Sequence, residues 1–106
     1  MGDKFYFKVS EVNGETLLAV CDEDVAGKTF ESDNARIAVS RPFYCGELCD
    51  EKKFVENMKK ATIINLAGSR CVGIAVKNGF VKKHGIIRIG SLEHAQSITA
   101  KYSAIE

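Results

Sequence analysis

Two groups of polar residues in this chain have the types and spacing to do chemistry. The run Asp22-Glu23-Asp24 places three carboxylates in a row, and carboxylate oxygens are the natural ligands of hard cations and natural general acids or bases. His94-Ala95-Gln96 sets an imidazole two residues from an amide, and imidazole titrates near neutrality, so it can serve as acid, base, ligand or hydrogen-bond donor. Asn65 lies in an otherwise apolar stretch, where a buried amide needs hydrogen-bond partners. Asp22, Glu23 and His94, beside Asn65, form an acid/base or metal cluster only in a fold that joins distant parts of the chain.

A second kind of chemistry is suggested by cations. Lys82-Lys83-His84, with Lys77 and Arg88 close in sequence, is the densest basic stretch, and Phe80 lies beside it. Cations next to an exposed ring grip phosphate and stack a base. Lys52, Lys53, Lys59 and Lys60 add to this if they fall on the same side. The alternative is a solvated hairpin with Phe80 turned inward. Residues 1–50 hold five bases and ten acids, net −5, whereas residues 51–106 hold ten bases and four acids, net +6. Such asymmetry suits a polyanion-binding face if folding keeps the halves apart.

The chain carries no phosphate loop, dinucleotide glycine fingerprint, nucleophile elbow or helical His-Glu zinc motif. The cysteines at 21, 45, 49 and 71 are dispersed. Cys45 and Cys49 are separated by three residues, not the two of a zinc knuckle, so metal binding there is not expected. Reduced, buried thiols are the simpler reading. No cofactor is implied. The 106 residues are 45% hydrophobic and 27% charged, as in an ordinary globular domain, and one domain over 1–106 is expected. No apolar run approaches the roughly 20 residues of a bilayer span, and Met1-Gly2-Asp3-Lys4 leads straight into a strand pattern without a targeting segment. A cytoplasmic protein with no membrane association is expected.

The elements that must position these groups follow from periodicity. Phe5, Phe7 and Val9 alternate with polar residues, Asn13-Gly14 suits a two-residue turn, and Thr16 to Cys21 forms the return strand of a hairpin. Asp22 is placed to cap a short helical turn that Gly27 ends. Ile37 and Val39 mark a third strand, stopped by Pro42. Asp50 caps a long helix over about 51–67, with Phe54, Val55, Met58, Ala61, Thr62 and Leu66 on one face. The β-branched run Thr62-Ile63-Ile64 is the one feature that favours a strand there. Val72, Ile74 and Val76 read as a strand, Asn78-Gly79 as a second hairpin turn into Phe80-Val81, and Ile86 to Ile89 as the last strand. Residues 90–96 read as an exposed connection, and the tail 99–106 is expected to fray.

The order of segments resembles the uncharacterised archaeal family known as domain of unknown function 424. The resembling residues are Ala19 to Phe30, Phe43-Tyr44-Cys45-Gly46-Glu47, Ala61 to Gly68, Gly79-Phe80-Val81 and the closing His94-Ala95-Gln96. The resemblance runs from about residue 5 to residue 98. The family tends to show Gly-Val-Pro before the His-Ala-Gln, where this chain has Ser91-Leu92-Glu93. It implies an archaeal cytoplasmic protein and no established activity, with translation or RNA handling as the associated setting.

The expectation is therefore an α+β domain, an antiparallel or mixed sheet of about five or six strands with one long helix packed on it. Its leading function is non-catalytic binding of RNA or the ribosome through Lys59, Lys60, Lys77, Lys82, Lys83, Arg88 and Phe80. Asp22, Glu23, Asn65, His94 and Gln96 are the polar site candidates. The alternatives are a small-ligand or metal-dependent enzyme using Asp22, Glu23 and His94, and a protein-binding adaptor with an apolar patch at Phe43 and Tyr44.

Overall fold

The computed structural model describes residues 4–98; the tail expected to fray, 99–106, lies outside them. Strands β1 (Phe5–Val12) and β2 (Glu15–Asp22) form the expected hairpin, in register from Phe5 opposite Asp22 to Val12 opposite Glu15. Its turn is Asn13-Gly14, with φ of 52° and 80°. Positive φ at both residues matches the twist of the flanking strands. After β2, one 3-10 turn (Glu23–Val25) leads to β3 (Thr29–Glu31) and β4 (Arg36–Ala38), a small separate two-stranded sheet. The single-turn α1 (Arg41–Tyr44) and β5 (Glu47–Cys49) follow.

The long helix expected over 51–67 is instead two elements. Helix α2 (Glu51–Met58) starts under the Asp50 cap, whose carboxylate accepts from Lys53 N–H at 3.0 Å. It stops after two turns, and the chain re-enters the sheet as β6 (Ile63–Ala67). The β-branched Thr62-Ile63-Ile64 run sets this outcome, because such side chains pack well on a pleated surface. Thr62 fixes the entry: its N–H and hydroxyl both donate to Thr16 O, and Thr16 N–H donates to its Oγ1 at 3.0 Å.

Residues 71–76, expected as a strand, lie in helix α3 (Ser69–Lys77). The buried residues Cys71, Val72 and Ala75 have helical spacing, so the apparent alternation of Val72, Ile74 and Val76 was coincidental. Asn78 and Gly79 end this helix rather than turn a hairpin. A 3-10 turn (Lys83–Gly85) precedes β7 (Ile87–Ile89), and β8 (Leu92–Ile98) closes the sheet. Most of the segment expected as an exposed connection, 90–96, is therefore inside β8.

The main sheet has the order β5-β1-β2-β6-β8-β7, antiparallel except for the central parallel pair β2 and β6. The α+β class and the mixed six-stranded sheet stand as expected; the helices are shorter and more numerous. One face carries Phe5, Phe7, Leu18, Val20, Ile64, Leu66 and Ala95, covered by Phe54 and Met58 of α2 and by Cys71, Val72 and Ala75 of α3. Phe54 stacks edge-on against Phe5 with ring centroids 4.8 Å apart. The opposite face carries Ala19, Cys21, Ala67 and Leu92, and is covered by Ala26, Val39 and Tyr44 from the segment between β2 and β5. That cover reaches only part of the face. Ile98 and Ile87, on the same side by strand alternation, remain 66% and 58% exposed.

Candidate functional site

Sheet register decides which candidates meet. Asn65 is opposite Gln96, and Ala67 is opposite His94. Directly opposed residues share a face, so Asn65, His94 and Gln96 lie together on the partly covered side. Gln96 is exposed, while Asn65 and His94 are half-buried. Burial lowers the pKa of His94 from its ordinary value.

Asp22 lies on the other face. Strand alternation puts Leu18, Val20 and Asp22 on the helical side, while Cys21, opposite Ala67, shares the side of His94. Asp22 is the N-cap residue of the first 3-10 turn, but its side chain makes no bond there. Its carboxylate instead reaches across to the first turn of α3: Oδ2 accepts from Arg70 N–H and Oδ1 from Cys71 N–H, both at 2.9 Å. Two backbone donors that the helix leaves unpaired are thereby satisfied, with negative charge at the positive helix end. Burial pushes the Asp22 carboxyl up, and these two N–H bonds hold it back. Gly68 makes the approach feasible. Its φ is +119°, and a Cβ there would stand 2.4 Å from Asp22 Cγ. Glu23 and Asp24 are exposed. The structure thus does not bring Asp22 and His94 together, and Asp22 is committed to holding a helix.

The basic candidates gather on the helical side. Lys52, Lys53, Lys59 and Lys60 are exposed on or just after α2, Lys77 ends α3, and Lys82 and Lys83 follow it. Lys52 and Lys59 line one shallow groove with Glu51, Val55, Glu56 and Asn78. Arg88, on β7, points to this side by alternation, and Lys83, Ile86, Arg88 and Glu93 line a second depression. Residues 51–85 carry eight bases and two acids, whereas residues 23–45, which cover the other face, carry three bases and four acids. Among the described residues the ion pairs are Arg36–Glu31, Arg70–Asp24 and Arg88–Glu93, so none engages these lysines. Phe80 packs half-buried against the helical core.

Tyr44 is a core residue at 4% exposure, leaving Phe43 as the exposed ring of that pair. All four cysteines are free thiols. Burial pushes Cys21 up to about 12 and Cys49 up to about 11, and raises Cys71 well above the ordinary value, which suits inert packing residues. Among the described residues no group of three or more histidine, cysteine or acidic side chains is arranged to hold a metal ion, and no helix is long and apolar enough to cross a membrane.

Sequence reasoning missed Lys28, Ser69, Arg70 and Ser91, which line a cleft at the ends of β2 and β6. The signal was Gly68-Ser69-Arg70, a glycine between an apolar run and a helix. It becomes legible only when Ile63–Ala67 is read as a strand.

Fold and site together define a small α+β domain: a mixed sheet with a cationic helical layer on one face and a partial cover on the other. The chain belongs to the family described as "Protein of unknown function (DUF424)", which it matches over residues 10–99. A crystal structure of an uncharacterized conserved protein from Methanopyrus kandleri has the same fold, with a TM-score of 0.74 at 22% identity. The likeness covers 92% of this chain and 95% of that one. No curated protein matches the chain.

Proposed function

We propose that this protein is a non-catalytic RNA-binding module of archaeal cytoplasm, associated with translation, which grips phosphates through the lysines of its helical side. One observation carries the reading: residues 51–85, which include both helices of that layer, hold eight bases against two acids, and the exposed lysines among them are not consumed by ion pairs among the described residues. A surface of that kind attracts a polyanion by neutralising phosphates and releasing their counterions. Lys52, Lys59, Lys60, Lys77, Lys82, Lys83 and Arg88 are the contact set, and Phe80 supports the surface from beneath. The archaeal fold relative accords with the setting.

The test is fluorescence anisotropy of a labelled RNA hairpin and a labelled single strand across a salt series. Binding should be present at low salt, and log affinity should fall linearly with log salt, with a slope of roughly −3 if about four phosphates are neutralised on a single strand. Sedimentation with ribosomal subunits in the same buffers separates free-RNA binding from assembly on the ribosome. Absence of binding to both at low salt overturns the proposal.

A further inference from the structure

The parallel strands β2 and β6 end side by side, at Asp22 and Ala67, and there the chain diverges. After β2 it passes to the partly covered face, where Val25 and Ala26 join the smaller core. After β6 it passes to the helical face as α3. Divergence of this kind opens a crevice beyond the carboxyl ends of the strands, the place where open α/β sheets hold their ligands. A cleft of about 270 Å³ lies there.

Its walls are of two kinds. Val25, Phe30 and Leu92 form an apolar side with one aromatic ring, and Lys28, Ser69, Arg70 and Ser91 supply cations and hydroxyl groups. The two acids at the cleft are already engaged: Asp22 by the two backbone N–H groups of α3, and Asp24 by Arg70 Nη1 at 3.4 Å. The end of the helix is thus occupied by Asp22, and an anion in the cleft is held by side chains. Lys28 is exposed and in none of the ion pairs among the described residues.

From this we infer that the cleft binds a small phosphomonoester bearing a flat ring, a nucleoside monophosphate. The phosphate takes Lys28 and draws Arg70 from its long contact with Asp24, because guanidinium and ammonium groups match phosphate oxygens. The Ser69 and Ser91 hydroxyls donate to it. The base lies against Phe30, whose face stacks any base without reading its identity. The cleft is separate from the lysines of the helical layer, and its ligand does not depend on RNA binding there.

The experiment is a titration of the whole chain with adenosine 5′-monophosphate, adenosine and inorganic phosphate separately, followed by amide NMR shifts and calorimetry. The monophosphate should saturate the shifts of Gly68, Ser69 and Arg70 at submillimolar concentration, with adenosine and phosphate each at least about tenfold weaker. Lys28→Glu should weaken binding at least about tenfold. Asp24→Asn should strengthen it severalfold by removing a negative charge from the cleft, and Lys8→Glu, at an exposed position outside the cleft lining, should leave it unchanged. Both cleft substitutions are at exposed positions, and a thermal melt confirms that the variants remain folded. No saturable shift at the cleft amides overturns the inference. So does an Asp24→Asn variant that binds more weakly, which marks a cationic ligand, or a Lys28→Glu variant that binds as well as the parent.

Discussion

The two faces of the central sheet are built from different material. The helical face is covered by two amphipathic helices over a continuous apolar core, with Phe54, Leu18, Leu66 and Val72 fully buried, and it wears the exposed lysines. The other face is covered by short elements, two three-residue strands and a single helical turn, over a core of small residues such as Ala19, Cys21 and Ala67. Its far end carries Asn65, His94 and Gln96 without such cover. Burial scales with apolar area, so the helical face should hold most of the stability, while the opposite face has room to vary. Under the proposed function the two sides have separate tasks: polyanion attraction falls to the helical side and polar contacts of shorter range to the other.

Core truncation is the strongest way to break the comparison. Phe54→Ala removes a ring with no exposure that stacks on Phe5, and should cost about 3–5 kcal/mol in a urea titration. Val39→Ala, equally buried but in the smaller core, should cost roughly 1–2 kcal/mol. Equal losses would mean that the two cores share the load and that the helical face is not dominant.

Gly68→Ala tests the junction between the faces. The new Cβ meets the Asp22 carboxylate, and φ of +119° strains any side chain, so the loss should be roughly 2–4 kcal/mol. Hydrogen exchange should locate the damage in the first turn of α3, where Arg70 and Cys71 lose their cap.

This junction also explains what could and could not be read in advance. The opening hairpin was legible because Asn13-Gly14 and the flanking alternation are local signals, and the Asp50 cap was legible for the same reason. Two stretches were exchanged. Residues 59–67 extended a helical stripe through Ala61 and Leu66, yet α2 ends at Met58 and Ile63–Ala67 form strand β6, and residues 71–76 alternated like a strand, yet lie in α3. Both have short apolar patterns that fit either period, and only the parallel pairing of β2 with β6 chooses between them. The same long-range contact gives Asp22 its role. From sequence it caps the turn that follows it; in the fold it caps a helix 48 residues away. His94, Gln96 and Asn65 were legible as polar groups, but their shared face depends on a strand β8 that the sequence pattern concealed.

Charge reversal sharpens the comparison at the level of function. Lys52→Glu, Lys59→Glu and Lys77→Glu together should weaken RNA binding at low salt by at least about tenfold, or ~1.4 kcal/mol, and should flatten the salt slope. Lys8→Glu, an exposed lysine on the opposite side of the sheet, should change it by less than about twofold. If Lys8→Glu is the more damaging, the binding surface is the partly covered face, and Asn65, His94 and Gln96 become its centre.

The smallest expected effect belongs to His94. Burial lowers its folded pKa, so the unfolded chain binds the proton more readily than the folded one. The stability it contributes is therefore complete above the unfolded value near 6.5 and is lost as the pH falls toward the folded pKa. A His94→Gln variant should lose this component, so the difference in unfolding free energy between parent and variant should shrink in favour of the variant as the solution is acidified below neutrality. Half-exposure limits the size of the change, and urea midpoints at closely spaced pH values are needed to see it. A difference that grows in favour of the parent on acidification would mean that His94 has found an anionic partner. The partly covered face would then be the more strongly polarised of the two, reversing the division of labour drawn from the lysines.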